Sequence, residues 1–254
     1  MTRNAPRTAR RSGSQLAFKF GSGWGGARRR AGRKPGLRPA TPHRSRPVQR
    51  AGEPVHVTLR SRLGALRTQH VFPTVRLALL GAARRDPERF GIVHFSVQRD
   101  HVHLVVEAKN KGALSSGMRS VAIRITRYVN DLLGRRGPLW ADRWYGRALR
   151  SPREVRNALV YVLANFRKHA RGHLPAGIDP FSSGVRFDGW RGWRIDSGVP
   201  PPWAVPKRWV DDDVTTAGEV VNTHTAFIAV TWLATIGWRR HGLIGLDETP
   251  KTPA

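Results

Sequence analysis

The sequence predicts an α+β domain in which an antiparallel sheet carries crossover helices and is followed by one further helix. Three observations predict it. Apolar and polar residues alternate with a period of two in PVHVTLR (54–60), GIVHFSVQ (91–98) and HVHLVVEA (101–108), as half-buried strands do. Apolar residues recur at three- and four-residue steps over 114–133 and 152–169, the helical period. Composition shifts near residues 50 and 172, so the patterned segment stands between two unpatterned ones.

The elements follow in order. Pro54 to Arg60 is the first strand. Val75 to Arg85, VRLALLGAARR, is a short apolar and basic helix. Gly91 to Gln98 and His101 to Ala108 are strands joined by the tight Arg99-Asp100 connection, hence a hairpin. Leu114 to Leu133 is a long helix with Met118, Val121, Ile125 and Val129 on its apolar face and arginines between them. Leu139 to Leu149, LWADRWYGRAL, is a fourth strand with bends. Ser151-Pro152-Arg153-Glu154 starts a helix: a serine cap, proline at the first helical position and an acid three residues after the cap. That helix runs to about His169. Strand, helix, strand, strand, helix, strand, helix is the order of a ferredoxin-like sandwich with an additional C-terminal helix.

The flanks read differently. Residues 1–50 hold 14 Lys or Arg and no acid. Such a segment cannot bury a core and is expected to be a disordered basic arm. Arg33 and Lys34, in Gly32-Arg33-Lys34-Pro35, resemble the centre of a minor-groove-binding arm. Generic phosphate binding is the better reading, because short basic motifs recur by chance. Residues 54–172 form the domain. Residues 173–254 carry most of the nine tryptophans among Gly and Pro; an irregular tail packing partly on the domain is expected there, with a helix somewhere in 220–238.

Composition narrows the function. Lys plus Arg number 45 against 17 acids, a net charge of +28. The usual partner of such an excess is nucleic acid; an anionic membrane is the rival, but no long amphipathic basic helix stands out. With no cysteine, disulfides, thiolate catalysis and Cys-based zinc sites are excluded. No apolar run is long enough to span a membrane, and no apolar stretch follows the basic N-terminus as in a secretory signal. A cytoplasmic, nucleoid-associated protein is expected. No phosphate-binding glycine loop is present.

Residues two apart on a strand share a face. His101 and His103 therefore stand side by side, while Val102, Leu104 and Val106 turn to the other face. Two imidazoles at this spacing can ligate one divalent cation; two sheet histidines bonded to their neighbours are the plainer alternative. On the last helix, Val155, Leu159, Val162 and Phe166 form an apolar stripe, and Asn157, Tyr161, Asn165 and Lys168 form a second stripe on another face. Tyr161 and Asn165 are one turn apart. A half-wet tyrosine covering a core edge and a surface amide would satisfy the same periodicity.

Three pieces together carry a family resemblance: DHVHLVVEA (100–108), LWADRWYGRAL (139–149) and ALVYVLANFRKH (158–169). From about Pro54 to Arg171 the chain resembles the HUH single-strand transposases, most of all the REP-associated tyrosine transposases, or transposase IS200-like group. The family motif is histidine, a bulky apolar residue, histidine, which His101-Val102-His103 fits. The family nucleophile is a tyrosine on the helix after the fourth strand, followed four residues later by Gln or Asn, which Tyr161 and Asn165 fit. Asn165 is followed by Phe166, where REP-associated members commonly carry Asn-Pro.

The resemblance implies a metal-dependent single-stranded DNA nickase and strand transferase acting on hairpin or repeat DNA. His101, His103 and Asn165 would hold Mg²⁺ or Mn²⁺, and Tyr161 would form a 5′-phosphotyrosine. It also leaves the chain as monomer or homodimer, since insertion-sequence relatives exchange tyrosine helices and the REP-associated group acts singly. Arg143, Arg147, Arg167 and Lys168 are candidates for phosphate neutralisation, though solvated charge is the simpler reading of any one of them. Trp140, Trp144 and Tyr145 could stack unpaired bases or pack the sheet edge. Arg119, Arg124 and Arg127 could track a DNA backbone. The alternative function is a domesticated DNA-binding protein on the same fold without cleavage. A ribonucleoprotein role would explain the charge but not the His–Tyr–Asn arrangement.

Overall fold

The computed structural model describes residues 50–169, 177–192, 213–216, 219–222 and 228–250, with the backbone alone for 168, 169, 213–216 and 219–222. Arg33, Lys34 and the rest of the arm before Arg50 lie outside the described residues, as does the side chain of Lys168. The elements are β1 (Val55–Arg60), α1 (Phe72–Ala83), β2 (Phe90–Val97), β3 (His101–Ala108), α2 (Lys111–Leu132), β4 (Tyr145–Ala148), α3 (Pro152–His169), β5 (Asp213–Thr216), β6 (Glu219–Asn222) and α4 (Trp232–Thr235). The first four strands form one sheet in the order β2-β3-β1-β4, with every neighbouring pair antiparallel. This is the ferredoxin-like α+β arrangement that the element order predicts, with α3 added. β5 and β6 form a separate two-stranded antiparallel pair.

Alternation along the strands divides the residues between two faces. Val55, Val57 and Leu59 from β1 and Val102, Leu104 and Val106 from β3 meet α1 and α2 in one core. Met118, Val121, Ile125 and Val129 of α2 are all fully buried there. The helix crosses β2 so closely that a Cβ on Gly117 would stand 2.2 Å from the Phe90 ring; only glycine fits.

The opposite face carries His56, Thr58, His101, His103, Val105 and Glu107, and α3 lies over it. Val155, Leu159, Val162 and Leu163 bury against Val93 and Val105 of the sheet and against Phe187, Trp190, Trp238 and Ile244 of the C-terminal segments. Trp190 and Trp238 are therefore core residues. Phe166, fourth in the predicted apolar stripe, is only half-buried, while Leu163 and Ala164 are buried, because α3 is covered on its outer side as well.

Polar contacts hold these segments in place. The Asp179 carboxylate, fully buried, accepts from Arg67 at 2.9 and 2.7 Å and from the Phe181 N–H at 2.9 Å. The Glu107 carboxylate accepts from the N–H groups of Val230 and Thr231 at 2.7 and 3.0 Å, ahead of α4. Arg156 forms a two-pronged pair with Glu248 at 2.7 and 2.8 Å.

Three boundaries differ from the sequence expectation. α1 begins at Phe72 because Pro73 is compatible with a first helical turn. α2 begins at Lys111, where the Asn110 side chain accepts from the Ala113 N–H at 2.9 Å. The fourth strand is regular only over Tyr145–Ala148. Its first part bonds the end of β1 irregularly: Ala141 N–H to the Arg60 carbonyl and Arg62 N–H to the Leu139 carbonyl, each at 2.8 Å. No helix among the described residues is long and apolar enough to cross a membrane.

Candidate functional site

β3 presents His101 and His103 on the α3 side of the sheet, with ring centroids 4.6 Å apart and planes at 80°. The antiparallel register sets Arg60 of β1 beside His101 and Thr58 beside His103. Each imidazole is held through Nδ1. His101 Nδ1 bonds the Asp100 carboxylate at 2.7 Å, and His103 Nδ1 bonds the Thr58 hydroxyl at 3.1 Å. The His101 hydrogen bond, aided by Arg60, keeps the Asp100 carboxyl below its ordinary pKa, so Asp100 stays an acceptor.

α3 brings Tyr161 to this pair within the same chain. Its ring lies edge-on to His103, with centroids 5.0 Å apart and planes at 79°. A third imidazole, His56 of β1, stands 5.4 Å from Tyr161 and 5.4 Å from His103 between centroids. Burial, with Arg147 nearby, pushes the His56 pKa down to about 4, so the ring is neutral at ordinary pH. Its Nε2 is buried without a hydrogen-bond partner among the described residues.

Asn165 follows Tyr161 by one turn of α3. It has 0% exposure, and neither its amide oxygen nor its amide nitrogen has a partner among the described residues. Leaving such groups unpaired costs about 1–3 kcal/mol each. The surface amide allowed by periodicity is thus a buried one with no partner among the described residues, one turn along the helix face that Tyr161 turns to the sheet histidines.

A cleft of about 640 Å³ opens beside Tyr161, lined among others by His56, Tyr145, Arg147, Asn157 and Glu248. Arg147 pairs with Glu154 at 2.6 Å. The start of α3 is capped as predicted: the Ser151 hydroxyl accepts from the Glu154 N–H at 3.3 Å.

The structure thus brings His101, His103 and Tyr161 together, buries Asn165 on the same helix and sets Arg147 at the cleft. The other basic candidates sit elsewhere. Arg167 turns to the C-terminal segments and donates to the carbonyls of Gly177, Leu246 and Glu248; helical spacing could not anticipate these acceptors. Arg143 is exposed before β4. Arg119, Arg124 and Arg127 lie on α2, across the sheet from Tyr161. Trp140 donates its indole N–H to the Ala122 carbonyl at 3.0 Å and, with Trp144, packs on the α1/α2 core.

Sequence reasoning missed His56 and Thr58. Their signal was present in PVHVTLR, where both occupy the polar positions of an otherwise apolar strand, but their meaning depends on pairing with β3. Among the described residues no group of three or more His, Asp or Glu side chains is arranged to hold a metal ion.

No family model matches the chain, and no curated protein matches it. Among solved structures, the chain is similar to a candidate transposase from Deinococcus radiodurans R1, with 15% identity and a TM-score of 0.33 over 41% of this chain and 85% of the other. It is also similar to a REP-associated tyrosine transposase bound to a REP hairpin, with 22% identity and a TM-score of 0.45 over 57% of this chain and 84% of the other.

Proposed function

We propose that the chain is a metal-dependent nickase and strand transferase for single-stranded DNA, acting on hairpin or repeat DNA through a 5′-phosphotyrosine at Tyr161. One observation carries the reading: the Tyr161 ring lies against His103 of its own chain, one helical turn from a buried amide with no partner among the described residues.

The donors fit a divalent ion. Two imidazoles are oriented through their Nδ1 atoms by an aspartate and a threonine, as metal-binding histidines commonly are. The buried Asn165 amide, with no partner among the described residues, would supply an oxygen. His101, His103 and Asn165 would hold Mg²⁺ or Mn²⁺, which when bound acts as a Lewis acid on a phosphate oxygen.

The rest of the chemistry belongs to the chain. Tyr161 Oη attacks phosphorus; the Oη–P bond forms as the P–O3′ bond breaks. The phenol gives up its proton, and the departing 3′ oxygen takes one up, so the step is proton-neutral. The 5′ end stays on Tyr161, and the bond energy is stored for rejoining, with no need for ATP. His56, being uncharged, adds no cation beside the phenol. Arg147, a lining residue of the cleft with an exposed side chain, would meet a DNA phosphate. On this reading, with Tyr161 against His103 of its own chain, a single subunit would suffice, and adduct yield per protein should not depend on protein concentration.

The test is covalent capture. The protein is incubated with a pool of hairpin-bearing single-stranded oligonucleotides and Mn²⁺, and the products are run on a denaturing gel. A shifted protein–DNA band that disappears in Tyr161→Phe, with binding retained, is the expected result. Binding without an adduct in any divalent metal would leave the non-cleaving DNA-binding protein in its place.

A further inference from the structure

The three aromatic residues of the β4 region part company. Trp140 and Trp144 pack on the core, whereas Tyr145 is 66% exposed. Tyr145 and Arg147 are two apart on β4, hence on one face, and both line the cleft beside Tyr161. To the same lining α3 contributes Asn157, one turn before Tyr161. The acids at the cleft are matched by cations: Glu154 pairs with Arg147 and Glu248 with Arg156. A polyanion therefore meets no uncompensated carboxylate on these walls, and Arg147, whose bond to Glu154 runs through Nη2 and whose side chain is mostly exposed, can turn its other N–H groups to a phosphate. The volume, about 640 Å³, falls within the range of roughly 300–1,000 Å³ usual for small-ligand pockets.

An exposed aromatic ring, a guanidinium and a primary amide around one cleft match the three parts of a nucleotide. The ring stacks on the face of a base, the cation meets its phosphate, and the amide meets the hydrogen-bonding edge. We propose, resting on the function given above, that this cleft is the subsite for one unpaired base next to the scissile phosphate. That base stacks on Tyr145, with Asn157 at its edge and Arg147 at the adjoining phosphate. Tyr145 and Asn157 then set which base is accepted beside the cut, while Arg147 contributes affinity without regard to sequence.

The experiment uses the full chain carrying Tyr161→Phe, so that DNA binds without being cut. The probe is a hairpin-bearing single strand with 2-aminopurine moved one position at a time along its unpaired flank. Quenching is expected at one position. Tyr145→Ala should abolish it and weaken binding roughly 5- to 150-fold, the usual effect of losing one stacked base. Tyr145→Phe should keep both. An abasic nucleotide at that position should make the wild-type and Ala proteins bind alike. Asn157→Ala should change the order of preference among the four bases there. Quenching that survives Tyr145→Ala, or no quenched position at all, would overturn the subsite. The parent reading is judged separately by the Tyr161 adduct: adduct formation without quenching sinks the subsite alone.

Discussion

Replacing Asn165 by leucine separates what the fold needs from what the site needs. Both amide atoms lie buried with no partner among the described residues, on a helix whose neighbouring Val162, Leu163 and Ala164 are buried apolar residues. Each unpaired polar atom costs about 1–3 kcal/mol of lost hydration. Leucine has a similar volume and no polar atom, and a small shape mismatch returns part of the gain. A net stabilisation of about 1–3 kcal/mol is expected for the metal-free protein. At about 2–4 °C per kcal/mol for a chain of this size, Tm should rise by about 2–12 °C. The assay is thermal unfolding followed by circular dichroism, in EDTA and again with Mn²⁺. A Mn²⁺-dependent rise in Tm is expected of the wild-type protein, and Asn165→Leu should remove it and, with it, the covalent adduct. A variant that melts lower than wild type in EDTA would mean that the amide has a structural partner. One that keeps the full Mn²⁺ shift would mean that Asn165 is not a ligand. Either result would refute the reasoning.

Other perturbations test the frame around the site. Burial pushes the His94 pKa from 6.5 down to about 4, partly opposed by Asp188. The unfolded chain therefore binds a proton between those values that the folded chain does not. Stability should be full above pH 6.5 and fall by at most roughly 3 kcal/mol as pH drops to 4, and His94→Gln should flatten that part of the urea-midpoint profile. Asp179→Ala strands Arg67 without its carboxylate and should cost about 3–5 kcal/mol, whereas the double replacement Arg67→Met, Asp179→Leu should recover most of it in denaturant titrations. DNA affinity should fall steeply and linearly on a log–log plot against salt, and removing residues 1–49 should make that slope shallower without changing Tm; a salt response that is flat in the full chain would contradict a phosphate-binding surface.

What could be read in the sequence was local, and what could not was pairing and covering. The strand period fixed that His101 and His103 share a face, and the helical period fixed that Tyr161 and Asn165 share another; the structure brings Tyr161 against His103. Neither period reveals a register. That Thr58 bonds His103, and that His56 stands against Tyr161, follows from β1 and β3 pairing across more than forty residues. Nor does a helix's own pattern say what lies over it. Trp190 and Trp238 sit among glycines and arginines without periodicity, so they read as tail; they form the outer half of the core around α3. The same C-terminal segments supply the backbone carbonyls that Arg167 bonds, and Asn165, read as a surface amide, is buried on the helix face that carries Tyr161. The same logic locates the signal that was missed. A histidine at 56 and a threonine at 58, in a strand otherwise of valine and leucine, place polar groups where burial costs free energy unless a partner lies across the sheet. Polar residues at alternate positions of two predicted strands therefore mark a shared face before any register is known, and the histidines of β3 and β1 are such a pair.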